Sequence, residues 1–219
     1  MKEIAKFLHG FRRFQRHFFC SKDLLYKDLQ EGQTPGALVI ACSDSRVDPA
    51  ILTGCDPGDM FVVRNVANLV PPYETGGAHH GVSAALEYGV TVLEVGHIII
   101  LGHSFCGGIQ ALMADGAPAG QFIAPWVRIA QPARDEVLRD LGHKTPQARQ
   151  RACEMAAILV SMENLLTFPW IKARVDAGTL HIHGWYFDME TGELEAYMPE
   201  TGEFETLVGL CREAATAPK

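Results

Sequence analysis

Cys42, His103 and Cys106 carry the side chains in this chain best suited to hold a transition metal. Two thiolates and one imidazole form a soft nitrogen–sulfur set that suits Zn2+. The spacing His103-x-x-Cys106 lets one loop supply two ligands. Gly107-Gly108, directly after it, should open a helix whose N-terminus favours a thiolate at Cys106. Three strong ligands with no fourth at zinc-finger spacing predict an open coordination position, as in catalytic zinc sites. Asp44, two residues past Cys42, could fill that position or accept a hydrogen bond from a water there. Arg46, two residues further on, could hold Asp44 ionised and turned away from the metal. Without context, the same residues are core cysteines at strand ends and a turn with a surface ion pair.

These side chains need elements to bring them together. Residues 37–42, 60–63 and 97–101 are short, continuous apolar runs that alternate with helical segments, one of them expected over 79–90 and another from near Gly108. Strands apolar on both faces predict an α/β fold, a mostly parallel sheet flanked by helices. Cys42, His103 and Cys106 then sit at or just past the C-terminal ends of strands, the edge where such sheets bind ligands. Thr145-Pro146 opens a long helix with an N-cap threonine and proline in the first turn, its buried face following Met155, Ala156, Leu159, Met162, Leu165 and Leu166 until Pro169 ends it. Residues 180–187 and 194–198 read as strands around Glu-Thr-Gly-Glu turns at 190–193 and 200–203, an antiparallel C-terminal edge. The Gly-, Pro- and Ala-rich stretch 115–121 reads as a surface loop.

The whole chain, 1–219, is expected to form one domain, with residues 1–30 as a helical arm. Ile4, Phe7, Leu8, Phe11, Phe14 and Phe18 recur at helical spacing. Lys2, Lys6, Arg12, Arg13 and Arg16 against Glu3 give this arm a net charge of 5 − 1 = +4. A transit peptide or a membrane-surface helix would share that charge, but five phenylalanines and few serines favour an arm that packs on the body or on a neighbouring subunit.

Composition excludes several classes. The net charge of −7 argues against a nucleic-acid partner. Six scattered cysteines in 219 residues are too few for a disulfide framework, and no apolar run suggests a secretory leader or a membrane span. A reducing compartment, the cytoplasm, is the expectation. No dinucleotide fingerprint, P-loop or nucleophile elbow is present. His181 and His183 share a strand face, but with no third ligand nearby in sequence they read as an ordinary strand pair. Cys20, Cys55, Cys153 and Cys211 read as small core or surface residues.

Three segments in order, Ala41-Cys-Ser-Asp-Ser-Arg46, Arg64-Asn-Val-Ala-Asn68 and Gly102-His-Ser-Phe-Cys-Gly-Gly108, resemble the β-class carbonic anhydrases, and the resemblance runs from about residue 30 to 198. It implies that Cys42, His103 and Cys106 bind one zinc ion per subunit and that Asp44 and Arg46 form a catalytic dyad. The implied reaction is the reversible hydration of CO2 to bicarbonate and a proton, by attack of zinc-bound hydroxide.

Gln33, nine residues before Cys42, matches a substrate-contacting glutamine of the plant-type subgroup. Phe61, Val66 and Tyr88 fall where that subgroup lines its apolar CO2 pocket, and the Gly107 N–H is a partner for a bicarbonate oxygen. The bicarbonate-inhibited subgroup has tryptophan where this chain has Val39, so an open site with Asp44 off the metal is expected. Two thiolates should leave zinc-bound water less acidic than at an unrelated three-histidine site, where its pKa is about 7, so activity should rise with pH. Tyr88, His79 and His80 are candidates to pass the released proton. The resemblance also implies a homodimer or an assembly of dimers. Rival readings are hydrolysis of a CO2 analogue such as CS2 or COS at the same site, and a zinc-stabilised binding or redox-sensing module.

Overall fold

The structure, a computed structural model, describes residues 2–20, 25–76, 80–114 and 120–210. His79, Cys211 and most of the expected loop at 115–121 lie outside these residues. The chain divides into two compact units, 1–34 and 35–219. In the first, the predicted arm forms α1 (Lys2–Phe19), followed by α2 (Leu25–Leu29). Phe14, Phe18 and Phe19 gather on Tyr26 with ring centroids 5.5, 5.6 and 4.8 Å away. Ile4, Phe7, Leu8 and Phe11 remain exposed.

The second unit carries the sheet. Its strands are β1 (Ala37–Cys42), β2 (Met60–Asn65), β3 (His97–His103), β4 (His181–Phe187), β5 (Leu194–Met198) and β6 (Glu203–Val208), in the order β2-β1-β3-β4-β5-β6. The first four run parallel, and β5 and β6 add antiparallel hairpins. Both Glu-Thr-Gly-Glu segments make their turns through left-handed glycines, Gly192 at φ 75° and Gly202 at φ 73°. Strand β6 has no apolar alternation to announce it, and most of its residues are exposed.

Helices α3 (Pro49–Thr53), α4 (Gly81–Glu87), α5 (Gly107–Met113), α6 (Ile123–Val127), α7 (Gln131–Leu141), α8 (Pro146–Leu165) and α9 (Pro169–Asp176) complete the unit. Helix α4 continues through a π turn to Val92. Among the described residues, no helix is long and apolar enough to cross a membrane. Alternate positions of β1 and β3 fill two cores. Leu38, Ile40, Ile98 and Ile100 pack with Ile158, Leu165, Phe168 and Ile171, while Val39, Ala41, Ile99 and Leu101 pack with Trp185 and Phe187 on the opposite face.

Helix α8 departs from its sequence expectation in two ways. It starts as predicted, with Thr145 Oγ1 accepting from the Ala148 N–H at 3.2 Å, but it ends at Leu165, and Pro169 begins α9 rather than closing α8. Proline at a first helical position costs nothing, because that N–H has no partner in the helix anyway. The buried face is also turned by one residue, about 100°: Cys153, Glu154, Ala157, Ile158, Ser161 and Leu165 are buried, whereas Leu166 is exposed.

Close approach to the sheet explains that turn. A Cβ at Gly102 of β3 would fall 2.6 Å from Ile158 Cδ1, and one at Gly184 of β4 would fall 2.7 Å from Met162 Sδ and 2.9 Å from Ile158 Cγ2. The two glycines form a notch on neighbouring strands that only small or fitted side chains of α8 can enter. Ile158→Ala should therefore cost about 2–5 kcal/mol and Gly184→Val about 1–3 kcal/mol. Urea denaturation of both variants tests this, and wild-type stability in both would refute the notch.

Candidate metal centre

Parallel pairing of β1 with β3 brings Cys42 and His103 to one edge, because both lie at the C-terminal ends of neighbouring strands. Cys106 follows three residues past His103, after a turn in which Phe105 adopts a left-handed φ of 58°. The ligand atoms of Cys42, His103 and Cys106 all lie within 4.8 Å of one another, and all three residues are buried. Among the described residues this is the one such group of histidine, cysteine and carboxylate ligands.

The donor set fits zinc on three observations. The two sulfurs are 3.9 Å apart, against about 3.8 Å for two thiolates on a tetrahedral ion with Zn–S near 2.3 Å. His103 Nδ1–H donates to the Ser104 carbonyl at 2.8 Å, which leaves the Nε2 lone pair free, and Nε2 is buried without a hydrogen-bond partner. The thiols also titrate apart. Its contact with Cys106 lowers the Cys42 pKa against the opposing effect of burial, while the neighbouring Cys42 sulfur and burial raise that of Cys106. A divalent cation between them would let both ionise.

Asp44 and Arg46 stand beside this cluster as a fixed pair. Arg46 Nε donates to Asp44 Oδ1 at 2.9 Å, Nη2 donates to Oδ2 at 2.7 Å, and the Arg46 backbone N–H adds a third bond at 2.9 Å. Arg46 Nη2 also reaches the Phe105 carbonyl at 3.0 Å, tying the two ligand loops together. The Arg46 side chain first, then its backbone N–H against the cost of burial, holds the Asp44 carboxyl well below the usual carboxylate range. Asp44 is therefore ionised throughout neutral pH, and both its oxygens are engaged by Arg46.

Sequence reasoning missed the framework behind the ligands. Arg64 donates to the carbonyls of Cys42 (2.9 Å), Asp44 (2.6 Å) and Val47 (2.7 Å), and to Asp48 Oδ2 at 3.0 Å, so one guanidinium fixes the loop that bears Asp44. Glu154, buried on α8, accepts from the Cys106 N–H at 2.9 Å, Gln150 Nε2 at 2.9 Å and the Tyr186 hydroxyl at 2.8 Å. Arg151, placed over the Tyr186 ring at 5.1 Å, pairs with Asp188 and Glu195 to close the network. One carboxylate within the Cys-Glu-Met-Ala-Ala run at 153–157 was the available signal for Glu154.

The remaining predicted residues fall into four places. Val66 and Gly107 lie near the ligands: a Cβ at Gly108 would fall 2.7 Å from Val66 Cγ1, whereas one at Gly107 would meet nothing within 4 Å. Phe61 and Tyr88 pair with each other, ring centroids 5.8 Å apart. Phe61 is in register with Leu38, four residues before Cys42 on β1, which is about 13 Å along the strand. Within one chain they are not brought to the ligand cluster. Gln33 is exposed and belongs to the first unit. His80 Nε2 is 2.8 Å from the Gly76 carbonyl.

Comparison with known proteins adds independent information. The carbonic anhydrase family model matches residues 37–194. Beta carbonic anhydrase 3 of Arabidopsis thaliana is 38% identical over 198 residues, covering 89% of this chain and 76% of that protein. The solved structure of the β-carbonic anhydrase CcaA has a TM-score of 0.87 at 33% identity and covers 95% of each chain. A tetrameric β-carbonic anhydrase of Sordaria macrospora has a TM-score of 0.77 at 28% identity, covering 89% of this chain and 95% of that one.

The framework makes a prediction about metal affinity. Glu154→Gln would turn an amide N–H toward groups that themselves donate, disturbing the Cys106 loop. Zinc should then be held about 10- to 100-fold more weakly, measured by competition with a chromophoric chelator. Unchanged affinity would mean that the Cys106 loop holds its geometry without Glu154.

Proposed function

This chain belongs to the β-class carbonic anhydrases, zinc enzymes that hydrate CO2 to bicarbonate and a proton, and from that premise we propose that Cys42, His103 and Cys106 hold the zinc and that Asp44 and Arg46 direct the chemistry. The observation that carries this assignment is the buried thiol pair facing an unpartnered imidazole Nε2, three ligands with no fourth grouped with them among the described residues. Zinc held there would supply a water acidified toward neutral pH, less strongly than on three neutral imidazoles because the two thiolates cancel its charge.

The chain's own residues supply direction. Ionised Asp44 can only accept, so it takes the O–H of the attacking water in a hydrogen bond and sets the line of attack on CO2. Arg46 keeps that carboxylate on its own guanidinium, with both oxygens engaged, so that it would stay turned from a bound zinc. The Gly107 N–H donates to an oxygen of the bicarbonate formed, and a Cβ on that glycine would meet nothing within 4 Å. Val66 forms one apolar wall of the CO2 pocket. Phe61 and Tyr88 reach that pocket only from a second copy, given the roughly 13 Å between Phe61 and the level of Cys42, and Gln33 is the polar side chain assigned to bound substrate. The functional unit is thus a homodimer or an assembly of dimers, with the exposed Phe7 and Phe11 of the arm covered by a neighbouring subunit. The cytoplasm suits this site, since a reducing compartment keeps two sulfurs 3.9 Å apart as thiols.

Stopped-flow CO2 hydration by the zinc-loaded protein tests the assignment. Turnover should climb from pH 6.5 to 9. Asp44 is already ionised across that range and does not cause the rise. Asp44→Asn should lower kcat by at least about 100-fold with zinc content unchanged. A flat profile, or wild-type turnover in the variant, would sink the proposed roles. In a separate test, sedimentation velocity should find no active monomer; a fully active monomer would remove Phe61 and Tyr88 from the pocket.

A further inference from the structure

Three imidazoles, those of His97, His181 and His183, stand together at the opposite end of the sheet. His181 and His183 share one face of β4, and the parallel register of β3 with β4 sets His97 beside His181 and Ile99 beside His183. His97 thus joins the pair on the same face from the neighbouring strand. It begins β3 six residues before His103, about 20 Å from the thiol cluster along the strand.

His97 Nδ1 and His183 Nε2 are 3.1 Å apart. The His97 ring centroid is 5.4 Å from that of His181, nearly parallel to it, and 5.2 Å from that of His183. Among the described residues, none of the three imidazoles forms an ion pair, and the His97–His183 contact is their one side-chain hydrogen bond.

Two nitrogens at 3.1 Å have two uses. One ring can give an N–H to the other's lone pair, or both lone pairs can turn to one cation. A tetrahedral ion with metal–nitrogen bonds near 2.05 Å separates two imidazole nitrogens by about 3.3 Å, close to the spacing already present. Burial, and then the neighbouring His97 and His181, lower the pKa of His183 and keep it in the neutral form that ligates. His97 and His181 are exposed, which gives an ion a path in.

We propose that His97 and His183 form a second metal site, for a divalent transition ion of the zinc, nickel and copper class, with His181 turning out of its stack to add a third imidazole. All-imidazole ligation favours these ions over magnesium or calcium. The site is separate from the thiol cluster and does not depend on the roles assigned there.

Nickel titration of the untagged, reduced, zinc-loaded protein tests this proposal. Trp185, whose ring lies 6.5 Å from that of His183, reports on the site through quenching of its fluorescence. Equilibrium dialysis with elemental analysis gives the stoichiometry. The expected result is one nickel bound per chain in addition to one retained zinc. His97→Asn and His183→Asn should each weaken nickel binding by at least about tenfold, and His181→Asn by less, with zinc content and circular dichroism unchanged. Absence of a saturable nickel equivalent in the wild type would establish the N–H···N pair as the whole role of these residues. Nickel binding that survives in both His97→Asn and His183→Asn would place the ion elsewhere. Either result overturns the proposal.

Discussion

Two sulfurs 3.9 Å apart, buried and backed by a carboxylate one residue layer away, impose the condition that the rest of the centre has to meet. Two full negative charges at that separation repel by about 4 kcal/mol even at an effective dielectric of 20. The chain alone relieves this by leaving one thiol protonated, which spoils it as a ligand. A dication held by these residues would remove the repulsion and take up the lone pair of His103 Nε2, which is buried without a partner. Only a parallel pair of strands delivers Cys42 and His103 to the same edge from opposite ends of a long sequence interval, so the α/β fold is part of the site's chemistry.

Cationic side chains then organise the rim. Arg64 donates to the carbonyls of Cys42, Asp44 and Val47 and to Asp48, and Arg46 donates to Asp44 and Phe105. The Arg46 side chain is 53% exposed, so the Asp44 pair contributes little to stability and much to orientation. Its effect is to hold the Asp44 carboxylate at a set angle beside the thiol cluster, with both oxygens engaged by Arg46.

Legibility in the sequence followed the range of the interaction concerned. Ala37–Cys42 and the His103-x-x-Cys106 loop were readable because burial on both faces and ligand spacing are local signals. Asp44 and Arg46 were readable for the same reason, being two residues apart. The third histidine of the 97/181/183 group was not, because its neighbourhood depends on a register set 84 residues away in sequence. Phe61 and Tyr88 show the same limit: their types suit an apolar pocket, but only the strand register reveals how far they stand from Cys42. On α8 the pattern misled in part: Leu165 is buried and Met155 and Met162 pack against the core, but Leu159 is only half-buried and Leu166 exposed, while the small Ala157 and Ser161 are fully buried against the sheet.

That turn of α8 links core packing to metal chemistry. Glu154 and Ile158 are one helical turn apart on the same face. Ile158 sits in the notch left by Gly102 and Gly184, so the seating of one side chain fixes the height and rotation of the other. Four residues further along the chain than the carboxylate, the isoleucine is held by the sheet; the carboxylate is thereby held under the Cys106 N–H. Ser161 and Asn164, on the following turns, bond the backbone of Val70 at 3.3 and 2.8 Å and anchor the same helix to the segment after β2. A helix with the larger residues of this sequence turned inward would stand away from the sheet, and Glu154 would move off the loop it supports. The buried face was set by how closely the helix must approach, and that distance is what positions the second thiol.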